Sequence, residues 1–273
     1  MRKVKRFATI VLTATLLSPA TAYAGNTEDA KALYEQVTEK QKSVTDMNAY
    51  YDYQIHLSGS ALEGVEDTSS MRMEMNVRMN HLTDMEKLQY SSYSRVTVPG
   101  QEPVISVMYY KDGTSYMDAG GMKIKYSMDL SQMAKQISSQ TMMLASGQAQ
   151  EDLMTDFRLW TEGDNQVVGF VIQGSKMTDY MDQVLGSLGM GSSLLSGSGM
   201  NMKFSDIPCE YVVNPNGDCV KMRMKMNLGM NVDGKTANID MDGDVGIADP
   251  GSPVEVNFPN LSEYKDMSEA FAR

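Results

Sequence analysis

Histidine and cysteine are scarce in this chain of 273 residues, two of each, and 24 Lys and Arg are outnumbered by 35 Asp and Glu. His56 and His81 give no Ser-His-Asp triad, and there is no H-E-x-x-H pair, G-x-S-x-G elbow or glycine-rich phosphate loop. The sequence therefore offers no catalytic constellation and requires no cofactor. The acid excess repels phosphate backbones and anionic membrane surfaces. No basic run interleaved with aromatics offsets it, so nucleic acid is not an expected partner. Beyond the N-terminus nothing approaches 18 consecutive apolar residues, and the tail "SEYKDMSEAFAR" carries no hydrophobic anchor, so no transmembrane anchor is expected.

The N-terminus has the pattern of an export signal. Arg2, Lys3, Lys5 and Arg6 precede the apolar run "FATIVLTATLL" (7–17), which Ser18 and Pro19 break before Ala22-Tyr23-Ala24 supplies small residues at a cleavage site. Cleavage after Ala24 is expected, leaving 25–273 as a secreted or cell-envelope protein. Removing the four basic residues leaves 20 against 35 acidic ones, a formal charge of −15. The remaining 249 residues suffice for a single domain with a sizeable core.

An even cysteine count in an exported chain favours one disulfide, between Cys209 and Cys219. A tight hairpin at "NPNG" (214–217) would set Val213 opposite Asp218 and Cys209 opposite position 222. A bulge or wider loop must then shift the register before the sulfurs can meet.

Periodicity divides the chain into alternating elements. "TEDAKALYEQVTEKQKS" (27–43) spaces Ala30, Leu33, Tyr34 and Val37 as one face of a helix, with acids first and lysines last. From Tyr50 the period becomes two: "AYYDYQIHLSG", "SMRMEMNVRMN" and "EKLQYSSYSRVTV" read as strands. Asp112-Gly113 and Gly120-Gly121 mark reversals between three short strands. "DLSQMAKQISSQTMML" returns to helical spacing, and "DFRLWTEGDNQVVGFVIQG" is a hairpin. Residues 175–190 form a second amphipathic helix with Ser175 as N-cap. The strands "MKFSDIPCEYVV", "DCVKMRMKMNLGMNV", "KTANIDMDGDVGI" and "VEVNFP" complete the chain. Helix, strand, methionine strand and strand recur in the same order, which suggests two pseudo-repeated halves, 27–147 and 150–260.

Methionine is the abundant residue, 26 in all. "MRMEMNVRMN" (71–80) and "MRMKMNLGMN" (222–231) match at seven of ten positions. Alternation puts Met71, Met73, Met75 and Met79 on one side of the first strand and Met222, Met224, Met226 and Met230 on one side of the second. Thioethers suit Cu(I), but the methionines interchange with Val77 and Leu228, so apolarity is what these positions require. A flexible side chain specifies a dry core poorly and suits a wall that adapts to varied apolar ligands. Met133, Ile137, Met181 and Leu185, on the expected helix faces, would complete that lining.

Other motifs carry less. Asp240, Asp242 and Asp244 alternate as in a calcium loop, but Val245 occupies the position that needs glycine and Gly251 the one that needs glutamate. Ser262 and Lys265 fit an S-x-x-K spacing without its companion motifs. Nine tyrosines between Tyr50 and Tyr126 suit sugar stacking or an apolar rim, and equally packing on half-buried strands.

At "YYKDGTSYMDAGGMKIKYSMDLSQM" (109–133), and at "YVVNPNGDCVKMRM" followed by "SPVEVNFP", the chain resembles bacterial exported proteins of the LolA-like and LppX/LprG-like superfamily, nearest to uncharacterised cell-envelope lipoproteins. The resemblance spans most of residues 27–260. It implies a mainly antiparallel, strongly curved sheet forming an incomplete β-barrel, with helices on the concave face and an apolar cavity between them. Better-known members carry lipids or lipoproteins, and the superfamily supplies no catalytic residues to transfer. The lipid-bearing cysteine of a lipoprotein is missing at the cleavage point, which leaves membrane anchoring without its residue. The expected function is a non-catalytic binder of a lipid, acyl chain or lipidated peptide. The alternatives are a structural or adhesive module with a closed core, or a methionine-based Cu(I) binder.

Overall fold

The computed structural model describes residues 27–62, 70–84, 86–127, 153–179, 201–232 and 234–267. Helix α1 (Thr27–Lys42) places Glu28 and Asp29 in its first turn and Lys40 and Lys42 in its last, each matched to the adjacent end of the helix dipole. Ala30 and Val37 on its apolar stripe are buried. Its C-terminal end is tied to the Asn214–Gly217 turn, where Lys40 Nζ donates to the Asn216 carbonyl at 2.8 Å and pairs with Asp218.

Thirteen strands follow among the described residues: β1 (Met47–Ser58), β2 (Ser70–Asn80), β3 (Gln89–Thr97), β4 (Val104–Lys111), β5 (Thr114–Ala119), β6 (Met122–Ser127), β7 (Met154–Glu162), β8 (Asn165–Ile172), β9 (Asn201–Phe204), β10 (Ile207–Val213), β11 (Cys219–Val232), β12 (Lys235–Ala248) and β13 (Lys265–Asp266). They form one open sheet in the order β13-β6-β5-β4-β3-β2-β1-β12-β11-β10-β8-β7, with β9 added on β11. Every pairing is antiparallel except β13 on β6. The expected mainly antiparallel architecture is therefore present. Its tight turns fall where the sequence put them: Asp112 and Gly113 both take positive φ, as do Gly120 and Gly121. That conformation suits the two-residue reversals joining β4 to β5 and β5 to β6.

The two halves of the sheet are joined by the pairing of β1 with β12, residues far apart in sequence. Directly opposed residues in an antiparallel ladder project to the same side, so the register sorts the side chains into two faces. One row of the apolar face runs Val96, Met73, Tyr53, Gly243, Met224, Cys209, Phe170. The next runs Ser94, Met75, Tyr51, Val245, Met222, Tyr211, Val168. On the reverse face Arg95, Glu74, Asp52, Asp244, Arg223 and Glu210 form a fully charged row, three central carboxylates flanked by arginines with Glu210 beyond. Helix α1 lies on the apolar face, where Ala30 packs with Phe157, Val168, Phe170, Ile207 and Cys209.

Three expectations are corrected. Residues 253–260 are not a strand but an extended strap without ladder partners among the described residues. Pro253 and Pro259 lack the N–H a ladder needs, and the segment packs instead on the charged face, with the Phe258 ring 6.1 Å from that of Tyr109. Tyr264, beyond it, meets Tyr116 edge-on at 5.5 Å. The second helix begins at residue 174, so Ser175 lies inside its first turn rather than capping it, and the Gly174 N–H donates to Asp206 Oδ1 at 2.9 Å. The cysteine pairing fails, for a reason of register taken up with the site. The expected helix containing Met133 and Ile137, and the part of the second helix containing Met181 and Leu185, lie outside the described residues.

Candidate functional site

The two methionine strands are not neighbours. β1 and β12 separate β2 from β11, a spacing of roughly 14 Å at about 4.8 Å per strand. Yet Met73 and Met224 share one row, Met75 and Met222 the next, and Met71 and Met226 a third through Ile55 and Met241. Met79 faces Met47 on β1, and Met230 sits between Ala237 and Met202. All eight methionines are half-buried. The space between the two strands is filled by Tyr51 and Tyr53, whose rings are 6.0 Å apart. Gly243 makes room for Tyr53: a Cβ there would lie 2.5 Å from the ring. Burial pushes both phenol pKa values up.

α1 covers the β7-β8-β10 end of this face through an aromatic clamp. The Tyr34 ring lies 5.1 Å from Phe170 and 5.6 Å from Phe157, edge-on to both, and stacks on Tyr211 at 5.7 Å. Such pairs contribute about 0.5–1.5 kcal/mol each beyond the area they bury. Met224 and Met226 pack against this cluster, and Met222 against the neighbouring group of Val37, Val213 and Cys219. Beneath the C-terminal half of α1 a cavity of about 270 Å³ opens between helix and sheet, lined by Val37, Val44, Met47, Cys219, Met222 and Ile247 among others. Its lining is mainly apolar, with Lys40, Asp46 and Asp218 as the charged residues in it.

Cys209 and Cys219 are free, buried thiols. The bulge between Val212 and Val213 shifts the hairpin the wrong way for a disulfide, setting Val213 opposite Cys219 and Cys209 opposite Met224. Five residues of β11 therefore separate Cys219 from the partner of Cys209, roughly 17 Å at about 3.4 Å per residue, far beyond disulfide reach. Desolvation raises both thiols to about 11.

A larger cavity than the one under α1, about 730 Å³, lies on the charged face. Its side-chain walls are Thr97, Arg72, Gln54, Asp242 and Lys225 on one row and Ser70, His56, Asp240 and Asn227 on another, with the apolar-face positions Met71, Ile55, Met241 and Met226 between them. Its cations are engaged: Arg72 makes a bidentate pair with Asp52 at 2.7 and 2.8 Å, and Lys225 pairs with Asp242 at 3.1 Å. The aspartates of the calcium-like stretch splay along this face, Asp244 pairing with Lys221 at 2.6 Å. No group of three or more His, Cys, Asp or Glu among the described residues could hold a metal ion, and no described helix is long and apolar enough to cross a membrane.

The sequence did not reveal Tyr53, Tyr51 and Gly243 as parts of the methionine wall. Their signal was present in the alternation of "AYYDYQIHLSG" and "DMDGDVGI", but the pairing of β1 with β12 that joins them is long-range.

Among solved structures the chain is similar to LprF from Mycobacterium bovis, at 12% identity over 86% of this chain and 97% of that one, with a TM-score of 0.40. It is also similar to a beta-barrel-like protein of domain of unknown function DUF1849 from Brucella abortus, at 11% identity over 76% of this chain and all of that one, with a TM-score of 0.22. No curated protein sequence matches it significantly. A family model does match residues 29–251, from the first turn of α1 to the end of β12 and just beyond, and on that match the chain belongs to the family of unknown function DUF6612.

Proposed function

We propose that this is a non-catalytic, exported binding protein that holds an apolar ligand, a lipid, acyl chain or lipidated peptide, against the methionine face of its sheet. One observation carries the reading: eight half-buried methionines on two separated strands share a single face with the helix-covered cavity under α1. Thioether side chains adapt their shape to a guest at low cost, whereas a permanently sealed core gains from residues that specify one packing. In this reading the sheet curves as an incomplete barrel about that face, and Met133, Ile137, Met181 and Leu185 add to the lining. The chain after Ala24 is one domain of two related halves. In support, β1-β2-β3 and β10-β11-β12 are both three-strand meanders with the methionine strand in the middle, side by side across the β1–β12 pair.

The test is native mass spectrometry of the protein purified from its own host, followed by solvent extraction. A lipid-sized adduct released by solvent is expected, with recovery reduced in the Met73→Asp/Met224→Asp double variant. Recovery of bare protein refutes the reading and leaves a structural or adhesive module. A copper adduct in place of lipid refutes it in favour of a methionine-based metal binder.

A further inference from the structure

A second recess lies on the charged face, on the side of the sheet opposite the methionines. Asn48, Arg78, Ser91 and Tyr109 are directly opposed across β1, β2, β3 and β4, and the adjacent row holds Asn76, Tyr93 and Val107. Between these rows is a cleft of about 440 Å³, within the roughly 300–1,000 Å³ common for small-molecule sites. The strap contributes Asn257 as a lip, and its Phe258 packs on Tyr109.

This cleft gathers several polar groups without partners among the described residues, a state that Arg95 shares singly elsewhere on the face. Elsewhere Arg72, Arg223, Lys221 and Lys225 are all committed to carboxylates. In the cleft, none of the side chains of Asn48, Asn76, Arg78, Tyr93, Tyr109 and Asn257 has a hydrogen-bond or ion-pair partner among the described residues. Among the described residues Arg78 is the one charged residue in the lining. Tyr93 is 41% exposed, a large aromatic surface presented to solvent.

We infer that this cleft binds a saccharide unit bearing one carboxylate. Each part of that chemistry has a counterpart. A guanidinium with no partner among the described residues matches a carboxylate in bidentate geometry. Three amides, each both donor and acceptor, match ring hydroxyls, which have the same dual character. Exposed tyrosine offers a flat apolar face with a polar edge to the C–H face of a pyranose. The acidic chain as a whole repels polyanions, so a single carboxylate on an otherwise neutral unit is favoured over a sulfated or phosphorylated polymer.

Saturation-transfer NMR with glucuronic acid and glucose as probes tests the inference on the full chain. Transfer to glucuronic acid is expected, weakened at least about tenfold by Arg78→Gln, since a hydrogen bond to a charged group is worth that much or more, and weakened as well by Tyr93→Ala, which removes the stacking face. Arg95→Gln removes a charge from the same face outside the cleft and leaves binding unchanged. Circular dichroism verifies that the variants fold, and Asn257→Ala probes the cleft from the strap without altering a strand. The inference is overturned by absence of transfer to glucuronic acid, by equal binding of glucose, or by an Arg95→Gln loss equal to that of Arg78→Gln. None of these outcomes bears on the apolar ligand, which is read from the other face.

Discussion

Gly243→Ala offers a sharp test of the wall between the methionine strands, because the sign of its effect depends on one side chain. In an ordinary strand, glycine is about 0.5–1 kcal/mol worse than alanine, so the substitution by itself stabilises. Here the new Cβ would lie 2.5 Å from Cδ1 and Cε1 of Tyr53, with Met224 Cγ at 3.7 Å on the other side. The ring must move out of the row it shares with Met73 and Met224, and overpacking of this kind costs about 1–3 kcal/mol. The expected net result is a loss of up to about 2 kcal/mol in the wild-type background. In a Tyr53→Ala background the clash is absent, and the same change should stabilise by about 0.5–1 kcal/mol. Equilibrium urea unfolding of the four proteins of the cycle, analysed by linear extrapolation, reads the coupling directly. A coupling below about 0.5 kcal/mol, the range of independent sites, would refute the placement of Tyr53 over Gly243 and with it the shared row.

Two further predictions concern titration and the thiols. Pairing with Arg72 holds the Asp52 carboxyl below its ordinary value of 3.8, and pairing with Arg223 holds that of Glu162 below 4.5. A depressed folded-state pKa contributes stability above the unfolded value and loses it as pH falls through the folded one. Unfolding midpoints should therefore decline below pH 4.5, and Arg72→Gln should flatten that acid limb; an unchanged limb sinks the pairing. Cys209 and Cys219, buried and raised to about 11, should resist iodoacetamide at neutral pH in the folded protein. Both should react in denaturant without reductant, as intact mass would show, whereas two cysteines that label only after reduction would restore the disulfide.

How much was legible depended on how local each cause is. The turns at Asp112-Gly113 and Gly120-Gly121 were readable because a two-residue reversal demands positive φ. α1 was readable from the spacing of Ala30, Leu33, Tyr34 and Val37. The cysteines show the limit: the hairpin at Asn214–Gly217 was anticipated, but one bulge at Val212/Val213 set its register and separated the sulfurs. "VEVNFP" alternates like a strand, and its prolines alone did not reveal that it would cross a face instead of joining an edge.

The two-sidedness of the strands follows from the order of residues alone, since alternation sets which of them share a side whatever the neighbours are. That order also determined that methionine would dominate one side and charge the other. The pairing of β1 with β12 is instead a product of the assembled fold, and from that one long-range contact follow the alignment of Met73 with Met224, the seat of Tyr53 on Gly243 and the width of the wall. The polar cleft was likewise decided there, because Asn48, Arg78, Tyr109 and Asn257 meet only after four strands are in register and the strap has folded across them. Side-chain direction is local and written into the order of residues, whereas adjacency of strands is set by the total surface they bury together.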